Sequence, residues 1–306
     1  MKKNKTNRTN LSQHSLRSSL NEKIGRIKAS IRRFTVGVCF SSTVRHFWDK
    51  LEKDFLFKIF QYTLKKYNVD FFYKDEMGIL TKRKHDDNFK YIFSTKYSCD
   101  SMPMMITLNS QIKNSNICVD VGANIGITAI WMAKNSKKVY AFEPVPDNVN
   151  RLVENLEANN ILNVNIIKKA VSNKNGDAIL TLFNSYGHHS LSSKHISSPK
   201  GAISVETITL DKFAECEKID KIDVLKIDVE GFELEVLQGA KKMLTEKRVN
   251  MIIFEHAPIL MKLQDRKPSE VVEFLIGLGY SIYRLDGTEI TLQDSITLEQ
   301  QDLYAK

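Results

Sequence analysis

The chain has 306 residues, of which 42% are hydrophobic and 26% charged, with a formal net charge of +9. That composition fits a soluble globular protein built as one large domain, or as a domain with an appended segment. The excess charge sits in residues 1–50, which hold 12 Lys and Arg against 2 Asp and Glu. The remainder therefore carries no electrostatic argument for nucleic-acid binding.

Residues 1–40 read as a basic tail that is disordered or partly helical. Its first 21 residues are polar and too poor in large apolar groups to offset ordering entropy. The start, "MKKNKTNRTN", has no apolar run behind it, which argues against a signal peptide. "IGRIKASIRRF" then sets Ile24, Ile27, Ile31 and Phe34 on one helical face opposite Arg and Lys. Two readings stand for residues 22–34: peripheral contact with anionic membrane or RNA, or a helix lying against its own domain.

Residues 41–100 are expected to form a helix plus a small antiparallel element. Val44, Phe47, Trp48, Leu51, Phe55, Ile59 and Tyr62 recur at helical spacing behind Thr43, a suitable N-cap. "DFFYKDEMGILTKRKHDDNFKYIFS" breaks short β-rich runs with turn signals.

Residues 101–306 are expected to form the main domain. "NICVDVG" is an unbroken apolar run, as in a strand covered on both faces, and "GITAIWMAKN" is helical. "KKVYAFEP" is the next strand, followed by a helix over "PDNVNRLVENLEANN" with Leu152, Val153 and Leu156 inward. "VNIIKKAVS" reads as a third strand, and "GDAILTLFN" and "AISVETITLDKF" as peripheral or inserted strands. "KIDVLKIDVEG" is the fourth core strand, "FELEVLQGAKKMLTE" one helix, and "VNMIIFEHAP" the fifth strand. Ser269 caps a helix over "SEVVEFLIGLGY", and "SIYRLDG" and "QQDLYAK" close the sheet. Repeated βα units of this length specify an α/β fold with a doubly wound, mostly parallel sheet.

In such sheets ligands lie beyond the carboxyl ends of the strands. The first strand stops in "VDVGANIGIT", where Gly122 and Gly126 lack Cβ atoms at a point where backbone approaches a ligand. The helix that follows offers unpaired amides to an anion. The second strand ends at Glu143, placed to accept hydrogen bonds from two ribose hydroxyls, and Asp120 can reach an ammonium group. NAD and S-adenosylmethionine both use this geometry. A GxGxxG spacing would favour NAD, and here Ala123 and Asn124 stand within a GxxxG turn instead.

The fourth strand alternates Lys226, Asp228 and Glu230, which a strand would project to one side. Three charges in an apolar strand are costly unless paired or used, so either a structural Lys–Asp ion pair or a site is implied. At the next strand end stand Glu255 and His256. Acids at neighbouring strand ends can bind hydroxyls, accept a proton or hold a metal, although no fixed ligand spacing supports a metal. His188, His189 and His195 fall in a polar loop, read as a substrate lid or a solvated loop. Four cysteines without CxxC spacing suggest neither a zinc site nor a disulfide framework, and no apolar run reaches the ~18 residues of a membrane span.

"VDVGANIG", "VYAFEPVPDNVNRLVENLEANN", "TLDKF", "DVLKIDVEGFELEVLQGA" and "IIFEH", in this order over roughly residues 95–285, resemble the FkbM family of class I methyltransferases. The resemblance implies a Rossmann-like seven-strand sheet. It implies contacts to S-adenosyl-L-methionine by Asp120, Gly122, Ala123, Asn124 and Gly126, ribose recognition by Glu143, and Ala170 and Val171 bordering the adenine. It also suggests methylation of a hydroxyl on a sugar, glycan or small metabolite. Asp228, Glu230, Glu255 and His256 are then the candidates for the base, Asp228 or His256 first. An RNA methyltransferase tethered by the basic N-terminus, a silent binding protein of the same fold and an NAD dehydrogenase stand as alternatives. A cytoplasmic location is expected, with membrane contact through residues 22–34 if that face binds lipid.

Overall fold

The computed structural model describes residues 71–74, 79–82, 102–183, 189–191 and 199–306, all within the unit Tyr62–Lys306. The tail, Thr43, the 41–62 helix, His188 and His195 lie outside the described residues. Strands β1 (Phe71–Lys74) and β2 (Ile79–Lys82) pair antiparallel.

The main domain opens with α1 (Met102–Ile112), β3 (Ser115–Val121), α2 (Ile127–Asn135), β4 (Ser136–Phe142), α3 (Pro146–Ala158) and β5 (Val164–Ile167). A small sheet follows from β6 (Ala170–Val171), β7 (Gly176–Phe183) and β8 (Pro199–Ile208), ordered β6-β8-β7. Then come α4 (Leu210–Glu217), β9 (Ile222–Ile227), α5 (Glu233–Gln238), α6 (Lys241–Thr245), β10 (Val249–His256), α7 (Pro258–Leu263) and α8 (Glu270–Gly277). The chain closes with β11 (Ile282–Arg284), β12 (Glu289–Ile290), α9 (Leu292–Thr297) and β13 (Gln301–Ala305).

The large sheet runs β12-β11-β13-β10-β9-β3-β4-β5. Strands β5, β4, β3, β9 and β10 are mutually parallel, and β13 enters antiparallel to β10. Order reverses between β3 and β9, which places the crevice of a doubly wound sheet at their carboxyl ends. The expected seven strands are joined by an eighth, the two-residue β12.

Alternation along the strands sorts the core into two layers. Val119, Val121, Tyr140, Phe142, Leu225, Ile227, Ile252 and Phe254 pack on one side with α4, α5, α6 and α8. Cys118, Val139, Val224, Met251 and Ile253 face α1 and α2 on the other, where α3 also docks through Leu152 and Leu156.

Several elements depart from the sequence reading. In α3 the buried stripe is Val149, Leu152 and Leu156, while Val153 is 37% exposed. "VNIIKKAVS" is split: β5 joins the main sheet and β6 the small one, because Ala170 and Val171 pair with Thr207 and Ile208 instead of extending β5. The stretch "TLDKF" is not strand but the start of α4, whose N-cap Thr209 accepts from the Lys212 amide. "FELEVLQGAKKMLTE" is two helices. Gly239 is the C-cap of the first, and a Cβ there would lie 2.1 Å from the Ser172 carbonyl oxygen, so only glycine fits at the break. Asp211 accepts from the amides of Lys242 and Met243 and starts α6 afresh. Ser269 stands at the N-cap of α8 without a side-chain capping bond.

Candidate functional site

The turn after β3 is held almost entirely by its own protein. Gly122 and Ala123 amides both donate to the Phe142 carbonyl, at 3.1 and 2.9 Å. From α3, the buried Asn155 donates to the Ile125 carbonyl at 2.7 Å. Glu143 accepts from the Asn124 amide at 2.8 Å, from the Val145 amide at 2.9 Å and from the Asn148 side chain at 3.3 Å. Burial pushes the Glu143 carboxyl up to about 7, against these three donors.

The two glycines are needed for a reason other than ligand approach. Gly122 has φ +78°, and a Cβ there would lie 1.9 Å from the Asp228 carbonyl oxygen. Gly126, at φ +93°, would place its Cβ 2.3 Å from Leu152 Cδ1. Both positions combine left-handed backbone with close packing inside the fold. Ligand capacity at the turn comes instead from the buried Oδ1 of Asn124, which has no hydrogen-bond partner among the described residues, and from the acceptor capacity left on Glu143.

Asp120 and Lys226 are register partners on β3 and β9. The Lys226 Nζ lies 3.4 Å from Asp120 Oδ1 and 3.1 Å from Asp228 Oδ2, and donates to the Gly122 carbonyl at 3.4 Å. The Asp120 side chain is 0% exposed, that of Lys226 6% and that of Asp228 39%. Burial works against the Lys226 charge, but Asp228 and Asp120 outweigh it and hold the ammonium protonated. Burial raises the Asp120 carboxyl, and Lys226 opposes that rise.

β9 ends at Ile227, so of the three charges only Lys226 lies on the strand; Asp228 follows it directly, and Glu230 comes later. It sits in the following turn at φ +57°. The buried Glu233 pins that turn by accepting from the amides of Val229 and Gly231, both at 3.1 Å, and burial raises its carboxyl to about 7. Ser190, in the expected polar loop, donates to the Glu230 carbonyl at 3.1 Å, while His189 Nδ1 accepts from the Phe183 amide.

Glu255 and His256 are adjacent in sequence and separated in space, because successive strand residues point to opposite faces. Glu255 lies on the face of Met251 and Ile253, with Oε1 accepting from Gln300 at 2.7 Å and Oε2 buried without a hydrogen-bond partner among the described residues. Burial, then the charges of Asp228, Glu230 and Glu233, raise its carboxyl to about 9. His256 lies on the other face, 2% exposed, with Nε2 lacking a hydrogen-bond partner among the described residues and its pKa lowered by burial. Ala170 and Val171 are both buried. A cavity of about 670 Å³ between the Glu143 loop and β8 is lined by Pro144, Pro146, Val149, Lys168, Lys169 and Val205.

With this geometry in place, the comparison with known families is direct. Residues 120–282, more than half of the chain, match the methyltransferase FkbM domain. The chain belongs to the FkbM methyltransferase family. This FkbM domain is 33% identical over 155 residues to the hexuronic acid methyltransferase AglP of Haloferax volcanii, covering 50% of this chain and 61% of that protein. It is 27% identical over 152 residues to the 2-O-methyltransferase NoeI of Sinorhizobium fredii, covering 44% and 62% respectively. The chain thus spans about three fifths of these two relatives. The crystal structure of methyltransferase FkbM from Methylobacillus flagellatus aligns with a TM-score of 0.42 at 16% identity, over 63% of this chain and 44% of that one.

The sequence reading missed four residues that shape the site of this FkbM domain. Asn155 and Glu233 hold turns, and their signal was only a polar residue on a helix facing inward. Ser190 and Asp302 arrive from remote segments. Asp302 pairs with Glu255 across β10 and β13, and its charge reaches Lys226.

Proposed function

We propose that this chain is an S-adenosylmethionine-dependent O-methyltransferase acting on a hydroxyl of a sugar, glycan or small metabolite. The observation that carries the reading is the contact between two turns. The turn at 122–126, whose buried Asn124 acceptor has no hydrogen-bond partner among the described residues, lies directly against the turn that begins at Asp228. A nucleoside on the first turn would thus lie beside a carboxylate on the second. Family membership supports methyl transfer, and the printed activities of two relatives, on a hexuronic acid and at a 2-hydroxyl, support a saccharide acceptor.

S-adenosylmethionine supplies a methyl group made electrophilic by its sulfonium, so the protein's task is alignment and proton removal. Asn124 Oδ1 and Glu143 are the acceptors for the nucleoside's hydroxyl and amine donors. Asp228 keeps Oδ2 on Lys226 and presents its partly exposed carboxylate to the acceptor hydroxyl, whose proton it would take as the methyl's bond to sulfur breaks and its bond to the hydroxyl oxygen forms, the neutral thioether S-adenosylhomocysteine leaving. Glu255, with its pKa at about 9, is a neutral acid at physiological pH and serves as a hydrogen-bond donor, not as the base. His256 lies on the far face from these groups.

The test is label transfer from tritiated S-adenosylmethionine to a panel of methyl glycosides of neutral, amino and uronic sugars. The expected product carries label that resists mild alkali, as an ether does. The Asp228→Asn variant should bind the cofactor within about threefold of wild type in calorimetry, while transfer falls by at least ~100-fold. Alkali-labile label would mark a carboxyl ester and overturn the O-ether assignment. Absence of cofactor binding by the wild type would overturn the methyltransferase reading.

A further inference from the structure

We infer that Asp120 acts as the buried counter-ion of Lys226 and not as a direct ligand of the cofactor, with Lys226 tying the glycine turn to Asp228. This rests on the S-adenosylmethionine reading above. It departs from the expectation that Asp120 meets the ammonium group of the cofactor.

Accessibility argues first. The Asp120 side chain is 0% exposed, so an ammonium could reach it only by displacing the protein that covers it. Its place opposite Lys226 follows from the parallel register of β3 and β9. Neither Asp120 oxygen has a hydrogen-bond partner among the described residues, so the Lys226 ammonium answers its charge as an ion pair.

The valence of Lys226 argues second. An ammonium has three N–H donors. Lys226 has three acceptors around it: Asp120 Oδ1 at 3.4 Å, Asp228 Oδ2 at 3.1 Å and the Gly122 carbonyl at 3.4 Å. Only the Gly122 contact is a hydrogen bond; the two carboxylates answer the ammonium as ion pairs, and the Lys226 side chain, 6% exposed, is enclosed by these oxygens. One acceptor comes from the β3 strand end, one from the glycine turn and one from the turn after β9. The backbone repeats the connection, since the Asp228 amide donates to the Val121 carbonyl at 3.1 Å. Lys226 is thus a positioning residue, and Asp120 keeps its charge compensated inside the protein. Without Asp120 the ammonium would lose one of its two anionic partners. Without Lys226, Asp120 would be a stranded buried charge beside Asp228.

The test uses two nucleosides on the full chain: S-adenosylhomocysteine, which carries the ammonium, and 5′-methylthioadenosine, which lacks the amino-acid moiety. In Asp120→Asn the ratio of the two dissociation constants should stay within about threefold of wild type, since no contact to the ammonium is lost. Lys226→Met should weaken both nucleosides at least about tenfold, and adding Asp120→Asn should recover part of that loss by removing the stranded charge. A ratio shifted by more than about threefold in Asp120→Asn, through weaker S-adenosylhomocysteine binding alone, would mean direct contact and overturn the inference. So would a double variant that binds more weakly than Lys226→Met. A wild-type protein that binds neither nucleoside would instead overturn the cofactor reading. If Lys226→Met does not fold, the ratio measured in Asp120→Asn still decides.

Discussion

The ends of β3 and β4 differ from the ends of β9 and β10 in how their charges are answered. At the first pair, Glu143 accepts three hydrogen bonds and Asp120 is paired with Lys226. At the second, Glu255 keeps a buried oxygen without a hydrogen-bond partner among the described residues, and burial, then Asp228, Glu230 and Glu233, raise its pKa. One half of the crevice is a turn tied to the Phe142 carbonyl and to Glu143, in which Asn124 Oδ1 and both Asp120 oxygens have no hydrogen-bond partner among the described residues. The other gathers Asp228, Glu230, Glu233 and Glu255, and the first three charges act on Glu255. The difference is what a transferase needs under the proposed function: a preorganised seat for the methyl donor, and a group of carboxyls where a hydroxyl must be oriented and deprotonated.

The first half is the easier to break. Gly122→Ala combines a positive φ with a Cβ 1.9 Å from the Asp228 carbonyl oxygen, so both turns must shift. We expect a loss of at least about 3 kcal/mol in denaturant unfolding, or failure to fold. A stable variant with unchanged unfolding would mean that the turns are not locked together.

Glu143 sharpens the comparison through pH. With its pKa at about 7, the carboxyl is largely protonated at pH 6 and ionised at pH 8. An ionised carboxylate is the stronger acceptor for hydroxyl donors. Affinity for S-adenosylhomocysteine should therefore rise by roughly threefold to tenfold from pH 6 to pH 8. Glu143→Gln should bind more weakly and show no such rise in calorimetry.

The smallest effect belongs to the other half. The Glu255 carboxyl is raised from 4.5 to about 9, so the folded state holds a proton that the unfolded chain has already lost. Its contribution is fully present below pH 4.5 and is lost as pH rises towards 9. Glu255→Gln replaces a neutral acid with a neutral amide. It should change Tm by only a few degrees near neutrality and flatten the decline of Tm between pH 5 and pH 9. An unaltered decline would show that the proton resides elsewhere.

Much of this was legible in the sequence, and for identifiable reasons. The parallel order of β3, β4, β5, β9 and β10 followed from apolar runs alternating with helical periods, because burial on both faces leaves few polar residues in such strands. The alternation of Lys226 and Asp228 marked a pair, and the pair is there. Glu230 was misplaced onto the strand because nothing local signals that β9 stops at Ile227.

What the linear order determined by itself was the family, the doubly wound sheet and the strand ends at which a ligand would lie. Periodicity and glycine turns are local properties, and neighbouring residues suffice to reveal them. Only the tertiary structure decided that Asp120 is sealed against Lys226, that Glu255 and His256 face opposite sides of the sheet, and that Asp302 and Ser190 reach the crevice. Those facts depend on register between strands far apart in the chain and on how much water the packing excludes. A sequence specifies both, but only through the whole fold.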